Sequence, residues 1–215
     1  MATARYDSHH FAQIYDLRWH RYLEETLRPV AGVLTSPEPL RILDVACGTG
    51  ESIRRFLVGV PRGSFFGVDG SEAMLEVARQ KFQKEPRVAL YRAAAESLPF
   101  QDGVFDWVVC CNSLHYFRNP GKIFSEMVRV LKPEGHLLLL DWCRDLWHCR
   151  FINRWLCLMD RVHVWMYSTE EVSSLARRHG IAIESLRRFR TSWPVGVKVW
   201  EMMLVLGSVS EKSRS

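Results

Sequence analysis

The chain has 215 residues, 47% hydrophobic and 25% charged, with a formal net charge of +5. That length sets one to two domains as the prior, and the composition suits a globular protein able to bury a core. No apolar stretch approaches the roughly 18 residues of a membrane span, and the longest runs, such as Leu137 to Leu140, are of buried-strand size. The N-terminus has no basic start followed by an apolar stretch, so no secretory leader is expected. The six cysteines (Cys47, Cys110, Cys111, Cys143, Cys149 and Cys157) form no Cys-x-x-Cys pair and are expected as reduced thiols in a cytoplasmic setting. Cys143, His148, Cys149 and Cys157 match no zinc spacing, so no metal is expected. Arginines and lysines are scattered, apart from Arg177-Arg178 and Arg187 to Arg190, which reads as a solvated surface and not as a nucleic-acid face.

In chain order, Arg41 to Ala46 is a short apolar run bounded by turn signals and reads as a buried strand. Gly48-Thr-Gly50 opens a helix over Glu51 to Val58. Ser64 to Asp69 is a second strand, and Ser71 can cap the helix that follows, whose apolar stripe is Met74, Leu75, Ala78 and Phe82. Val88 to Arg92 and Phe105 to Cys111 are a third and a fourth strand. Asn119 and Pro120 look like the N-cap and first position of a helix to Leu131, stopped by Lys132-Pro-Glu-Gly135, and His136 to Trp142 is a fifth strand. Continuously apolar strands alternating with amphipathic helices predict a parallel sheet covered on both faces.

After Trp142 the segment to Met166 is rich in Trp, His and Arg and looks helical but irregular. Ser168-Thr-Glu-Glu171 forms a capping box for a helix ending at Gly180. Ile181 to Phe189 and Lys198 to Leu206 then form an antiparallel hairpin, with a polar tail expected to fray from Ser208. The predicted fold is α/β, a Rossmann-like three-layer sandwich on a seven-stranded, mostly parallel sheet with a C-terminal antiparallel hairpin. The single domain divides into a helical cap (1–40), a cofactor-binding core (41–142), a substrate-covering segment (143–167) and a final helix and hairpin (168–207).

A glycine loop between a first strand and its helix is where open α/β sheets bind nucleotides, because the backbone can approach the ligand and the helix start offers free N–H groups. A dinucleotide fingerprint starting at Gly48 would need a small residue where Ile53 stands, which argues against NAD and hence against an oxidoreductase. The loop comes with partners: Leu43-Asp-Val-Ala-Cys-Gly-Thr-Gly50, Gly67-Val-Asp-Gly-Ser-Glu-Ala-Met-Leu75, Ala95-Glu-Ser-Leu-Pro-Phe100, Phe105-Asp-Trp-Val-Val109 and Leu131-Lys-Pro-Glu-Gly135. On these segments, which span nearly the whole chain, the sequence resembles the class I S-adenosylmethionine-dependent methyltransferases. It is most similar to the small-molecule (type 11) group that includes ubiquinone and menaquinone biosynthetic enzymes.

The resemblance implies S-adenosylmethionine as methyl donor and S-adenosylhomocysteine as product. It implies Asp44 near the methionine ammonium, the backbone of Ala46, Cys47, Gly48 and Gly50 along the methionine and ribose, and Asp69 on the ribose hydroxyls. Gly70, Ser71 and Met74 would border the adenine, with Ala94, Ala95 and Glu96 along its edge and Asn112 at the point of methyl transfer. Two positions depart from the family pattern. Ala46 stands where a glycine is usual, which costs little if its φ is negative. Ala94 stands where an aspartate usually holds the adenine amino group, so looser cofactor binding is expected.

The fourth strand runs into Cys110-Cys-Asn-Ser-Leu114, not into an Asn/Asp-Pro-Pro-aromatic motif, which disfavours a nucleic-acid acceptor. Trp142, Trp147, Trp155, Trp165 and Phe151 together point to a planar or hydrophobic small acceptor, with Tyr6, Tyr15 and Tyr116 as candidates to line the same pocket. His115, just past the fourth strand, is the candidate general base, ahead of His148 and His163. The alternatives are a non-catalytic cofactor binder, transfer of another group from a modified donor and, less favoured, a nucleic-acid methyltransferase. Trp193, Val195, Val197 and Trp200 read either as a dimer face or as core or lid packing, and the chain is expected as a monomer or homodimer.

Overall fold

The computed structural model describes residues 8–160, 163–192 and 199–210. The sheet is built from β1 (Arg41–Val45), β2 (Ser64–Asp69), β3 (Val88–Arg92), β4 (Phe105–Cys111), β5 (Leu131–Trp142), β6 (Ile181–Thr191) and β7 (Trp200–Val209). Their spatial order is β3-β2-β1-β4-β5-β7-β6. The first five strands pair in parallel, and β7 lies antiparallel between β5 and β6. This is the seven-stranded, mostly parallel α/β architecture expected from the pattern.

Strict alternation along the strands makes two cores. Leu43, Val108, Cys110, Leu137, Leu139, Met203 and Val205 face α4 (Pro120–Val130) and α6 (Thr169–Arg178). Ile42, Val109, Cys111, Leu138, Leu140, Met202 and Leu204 face α1 (His9–Ala31), α2 (Glu51–Gly59) and α3 (Glu72–Lys81). Burial of every second residue on each face is why these runs are apolar throughout.

Local signals set the helix starts. Ser71 accepts from the Met74 N–H, Asn119 from the Lys122 N–H with Pro120 next to it, and Ser168 with Glu171 completes a capping box. These caps satisfy N–H groups that the first helical turn leaves without partners.

Several boundaries moved. β5 begins at Leu131, not His136: Phe105 pairs with Leu131 and Trp107 with His136, so Lys132 to Gly135 bulge out of the ladder, with Glu134 at φ 62°. The Lys-Pro-Glu-Gly turn thus interrupts a strand instead of preceding one. Ser208 is no frayed tail, since it pairs with both His136 and Ala182. Among the described residues between Trp142 and Met166, only Trp147–Met159 is a helix (α5). Trp200 is buried at 6% exposure and offers no dimer face, and the other three residues of that patch lie outside the described residues.

Ile53, too large for a dinucleotide loop, has its own accommodation. It is buried on α2 against Gly67 of β2, where an added Cβ would meet Ile53 Cδ1 at 3.0 Å and Cys47 Sγ at 2.8 Å. The close approach that a nucleotide fold makes at a helix glycine is made here at a strand glycine.

Candidate active site

The strand order reverses between β1 and β4, and the crevice at their carboxyl ends is the place where such sheets bind ligands. There a cavity of about 370 Å³ is lined by Tyr15, Ala46, Gly48, Asp69, Gly70, Ser71, Met74, Ala94, Ala95, Glu96, Asn112 and Tyr116, together with residues the sequence reading missed. The missed ones are Val68, Ala93, Ser113, Phe117 and Arg118. Val68 and Ala93 flank strand ends already singled out. Ser113, Phe117 and Arg118 belong to the turn after β4, whose path no motif fixed.

At the end of β2, Asp69 Oδ2 accepts from the Gly48 N–H and Oδ1 from the Ser71 N–H, both at 2.8 Å. The carboxylate is thus held at the wall by two backbone donors, one from the glycine loop after β1 and one from the start of α3. Its neighbour Asp44 is buried below the loop and does not line the cavity. Asp44 Oδ2 accepts the Ser52 hydroxyl, whereas Oδ1 has no hydrogen-bond partner. Burial, opposed by that hydroxyl and reinforced by the charge of Asp69, pushes the Asp44 carboxyl up to about 7.

The loop itself is left-handed at Ala46 (φ 59°), Gly48 (φ 53°) and Gly50 (φ 80°). The negative φ that would have made Ala46 harmless is therefore absent: here an L side chain occupies a conformation that suits glycine. Gly50 is the N-cap of α2, and a Cβ on it would meet the Phe82 ring at 2.4 Å. Gly50 shapes the loop from behind without lining the large cavity, and Cys47 lines a smaller adjoining pocket.

The first helix closes one side. Asp16 accepts from the Thr49 hydroxyl at 2.5 Å and from Lys81 Nζ at 2.7 Å, tying α1 to the loop and to α3. Tyr22 donates to Asn112 Oδ1 at 2.7 Å and accepts from the Trp142 indole N–H at 2.7 Å. Asn112 Nδ2 donates to Thr26 at 3.2 Å. Asn112, with φ 57°, is therefore held on the wall by α1.

His115 lies in a one-turn 3-10 helix (Leu114–Tyr116), is 1% exposed, and does not line the cavity. Its Nδ1 is 2.6 Å from Asp141 Oδ1, and its ring stacks on Trp142 at 3.9 Å between centroids. Tyr116, whose ring is also 3.9 Å away, does line the cavity. The His115 carbonyl accepts from the Val164 and Trp165 N–H groups. Nearby His163 is buried, and that burial followed by repulsion from His115 holds its imidazole down at about 4.

Two of the proposed acceptor-side residues lie elsewhere. Trp142 is packed behind His115 against Trp200 and Tyr22. Trp147 is 71% exposed, because α5 packs on the sheet through Cys149, Ile152, Asn153 and Leu156 and turns the opposite face outward. Tyr6 is outside the described residues. Among the described residues no three His, Cys, Asp or Glu side chains converge to hold a metal ion.

Comparison with known proteins agrees with this geometry. A family model described as a methyltransferase domain matches residues 43–139. The chain is 30% identical over 164 residues to the uncharacterized methyltransferase YcgJ of Bacillus subtilis, covering 74% of this chain and 63% of that protein. It is 31% identical over 131 residues to the ubiquinone/menaquinone biosynthesis C-methyltransferase UbiE of Geotalea uraniireducens, covering 59% and 53%. The chain thus spans between about half and just under two thirds of the length of these relatives. The crystal structure of YcgJ superposes with a TM-score of 0.73 at 24% identity, over 87% of this chain and 99% of that one, and shares the fold. With a methyltransferase-domain match over residues 43–139 and this seven-stranded sheet, the chain is similar to the S-adenosylmethionine-dependent methyltransferases.

Proposed function

We propose that the chain transfers the methyl group of S-adenosylmethionine to a small aromatic or hydrophobic acceptor. The observation that carries this reading is the Asp69 carboxylate, anchored by Gly48 and Ser71 on a cavity that also presents Met74 and the 94–96 edge. An anchored carboxylate at a second-strand terminus is the group that accepts bonds from ribose hydroxyls in nucleotide-binding sheets.

The residues fit the donor. Asp44 keeps one buried oxygen without a partner beneath the loop, a place where an ammonium, directly or through water, restores the lost hydrogen bond. Met74 and the Ala94–Glu96 backbone offer a flat, mainly apolar wall for adenine. S-adenosylmethionine, when bound, would supply an electrophilic methyl carbon on a sulfonium whose C–S bonding pair returns to sulfur, while the acceptor's nucleophilic ring carbon or heteroatom takes the methyl and gives up its displaced proton to water.

What the chain adds is alignment and exclusion of water. Asn112, fixed by Tyr22 and Thr26, and Ser113 line the wall at the end of β4. Tyr15, Tyr116 and Phe117 provide aromatic surface for the acceptor, and Arg118 is the cation on that lining. His115, clamped by Asp141, acts as a positioning residue that holds the Tyr116 turn in place. The similarity to UbiE supports an aromatic ring of quinol type as the acceptor class.

Incubation with methyl-labelled S-adenosylmethionine and a panel of hydroxylated aromatics, a quinol, a peptide and an RNA tests the reading. Label passing into an organic-extractable aromatic is expected. Label entering RNA or peptide alone contradicts the acceptor class, and no binding of S-adenosylmethionine contradicts the reading as a whole.

A further inference from the structure

Helix α5 carries its largest apolar side chains on its outer face. Trp147, Phe151, Trp155, Leu158 and Met159 are 71%, 65%, 60%, 81% and 66% exposed. Their spacing puts them on one stripe at about 100° per residue. The inner face is pinned by a polar anchor, Asn153, which is 2% exposed. Its Oδ1 accepts from the Met166 N–H at 2.7 Å and lies 3.0 Å from His163 Nε2. Rotating the helix to bury the aromatics would break these bonds, so the exposed stripe belongs to the folded state. Single exposed apolar residues are common on proteins, but five large ones on one helix mark a contact surface.

The surroundings decide what the surface touches. Arg150 and Arg154 border the stripe along one edge, both exposed, and neither forms an ion pair among the described residues. The helix has no acidic residue from Trp147 to Met159. A two-fold contact between copies through this face would set these arginines against their counterparts with no carboxylate on the helix to pair them. Apolar side chains led by tryptophans, bordered by unpaired cations on a chain of net charge +5, match an anionic lipid interface instead.

We infer that α5 seats the protein on an anionic lipid surface, with Trp147, Phe151 and Trp155 entering the headgroup region and Arg150 and Arg154 on lipid phosphates. The inner face of the same helix reaches the cavity wall through His163 and the 164–165 backbone, which bonds to the His115 carbonyl beside Tyr116. If the acceptor is hydrophobic, as proposed above, this seat brings the site to the phase in which it dissolves. Lipid docking itself is independent of that reading and is measured without donor or acceptor.

The test is sedimentation of the full chain with vesicles of phosphatidylcholine alone and of phosphatidylcholine with phosphatidylglycerol, read with tryptophan emission and quenching by brominated acyl chains. Uptake by the anionic vesicles is expected, with a blue shift and bromine quenching. The double variant Arg150→Gln/Arg154→Gln should weaken partitioning on the order of 20-fold, as about fivefold per surface cation predicts. Phe151→Ser/Trp155→Ser should weaken it about tenfold or more. Both variants should keep the wild-type circular dichroism and S-adenosylhomocysteine affinity, because these side chains lie outside the cavity wall. No uptake by anionic vesicles, equal uptake by neutral ones, or wild-type uptake by both variants overturns the inference. So does a dimer that Trp155→Ser dissociates in a protein that ignores vesicles.

Discussion

His115 Nδ1 lies 2.6 Å from Asp141 Oδ1, and the second oxygen of the same carboxylate accepts the His115 backbone N–H at 3.3 Å. One buried side chain therefore fixes both the ring and the backbone of the turn that carries Tyr116. His115→Phe should lower turnover about tenfold by loosening that wall, with S-adenosylhomocysteine affinity unchanged. His115→Asn, which can still donate to Asp141, should recover most of the loss. Steady-state kinetics on folded protein decides: an Asn variant as impaired as the Phe variant would make the imidazole itself the proton acceptor. The Phe variant also leaves Asp141 with only the backbone N–H donors of His115 and Trp142, at a cost of about 1 to 3 kcal/mol in denaturant unfolding.

Ala46 occupies φ 59° in a loop where its neighbours Gly48 and Gly50 are also left-handed. A left-handed alanine costs about 1 to 2 kcal/mol, part of which glycine gives back as chain entropy. Ala46→Gly is expected to raise unfolding free energy by about 1 kcal/mol with cofactor binding intact. A loss of stability in urea unfolding would show that the positive φ is not strained.

Asp44 is expected to make donor binding pH-dependent. With its folded carboxyl raised from 3.8 to about 7, the folded state holds a proton that the unfolded state has released. Its contribution to stability is full below about pH 4 and lost as pH rises through about 7. A ligand ammonium favours the ionised form, so binding should release a proton near pH 6 and tighten as pH rises from 6 to 8. Calorimetry in two buffers of different ionisation enthalpy reads that proton directly. Asp44→Asn should abolish the release, and its persistence in that variant would assign it to another group.

Ala94 lines the cavity and is exposed, so a carboxylate placed there has room. Ala94→Asp should tighten S-adenosylmethionine binding about tenfold by adding an acceptor for the adenine amino group. Tight wild-type binding with no gain in the variant would mean that the 95–96 backbone or Glu96 already satisfies the adenine.

The strands and the mostly parallel sheet were legible because each depends on local pattern, whereas the strand order was not read from the sequence and the residues expected at the cofactor came from the family resemblance. Alternating burial needs apolar runs, and Ser71, Asn119 and Ser168 cap helices through bonds spanning three residues. Asp69 was singled out because the resemblance puts a carboxylate at the end of the second strand, where the structure anchors it to Gly48 and Ser71. The acceptor side was not, because it rests on contacts distant in sequence: Tyr22 to Asn112 across 90 residues, and Asp141 to His115 across 26. Trp147 illustrates the limit. Its spacing with Phe151 and Trp155 is helical, but only the burial of Asn153 on the other side decides which face points inward. The sign of φ at Ala46 is equally invisible in sequence, since it follows from how Gly48 must reach Asp69.

The central claim rests on Asp69 at the ribose, and calorimetric titration of the folded wild type and Asp69→Ala with S-adenosylhomocysteine, with NADH as the control ligand, tests it most directly. One-to-one binding of S-adenosylhomocysteine by the wild type is expected, about 100-fold weaker in the variant as two charge-assisted hydrogen bonds are lost, and no binding of NADH. Undiminished binding by Asp69→Ala, or a wild type that binds NADH in preference, would contradict the account.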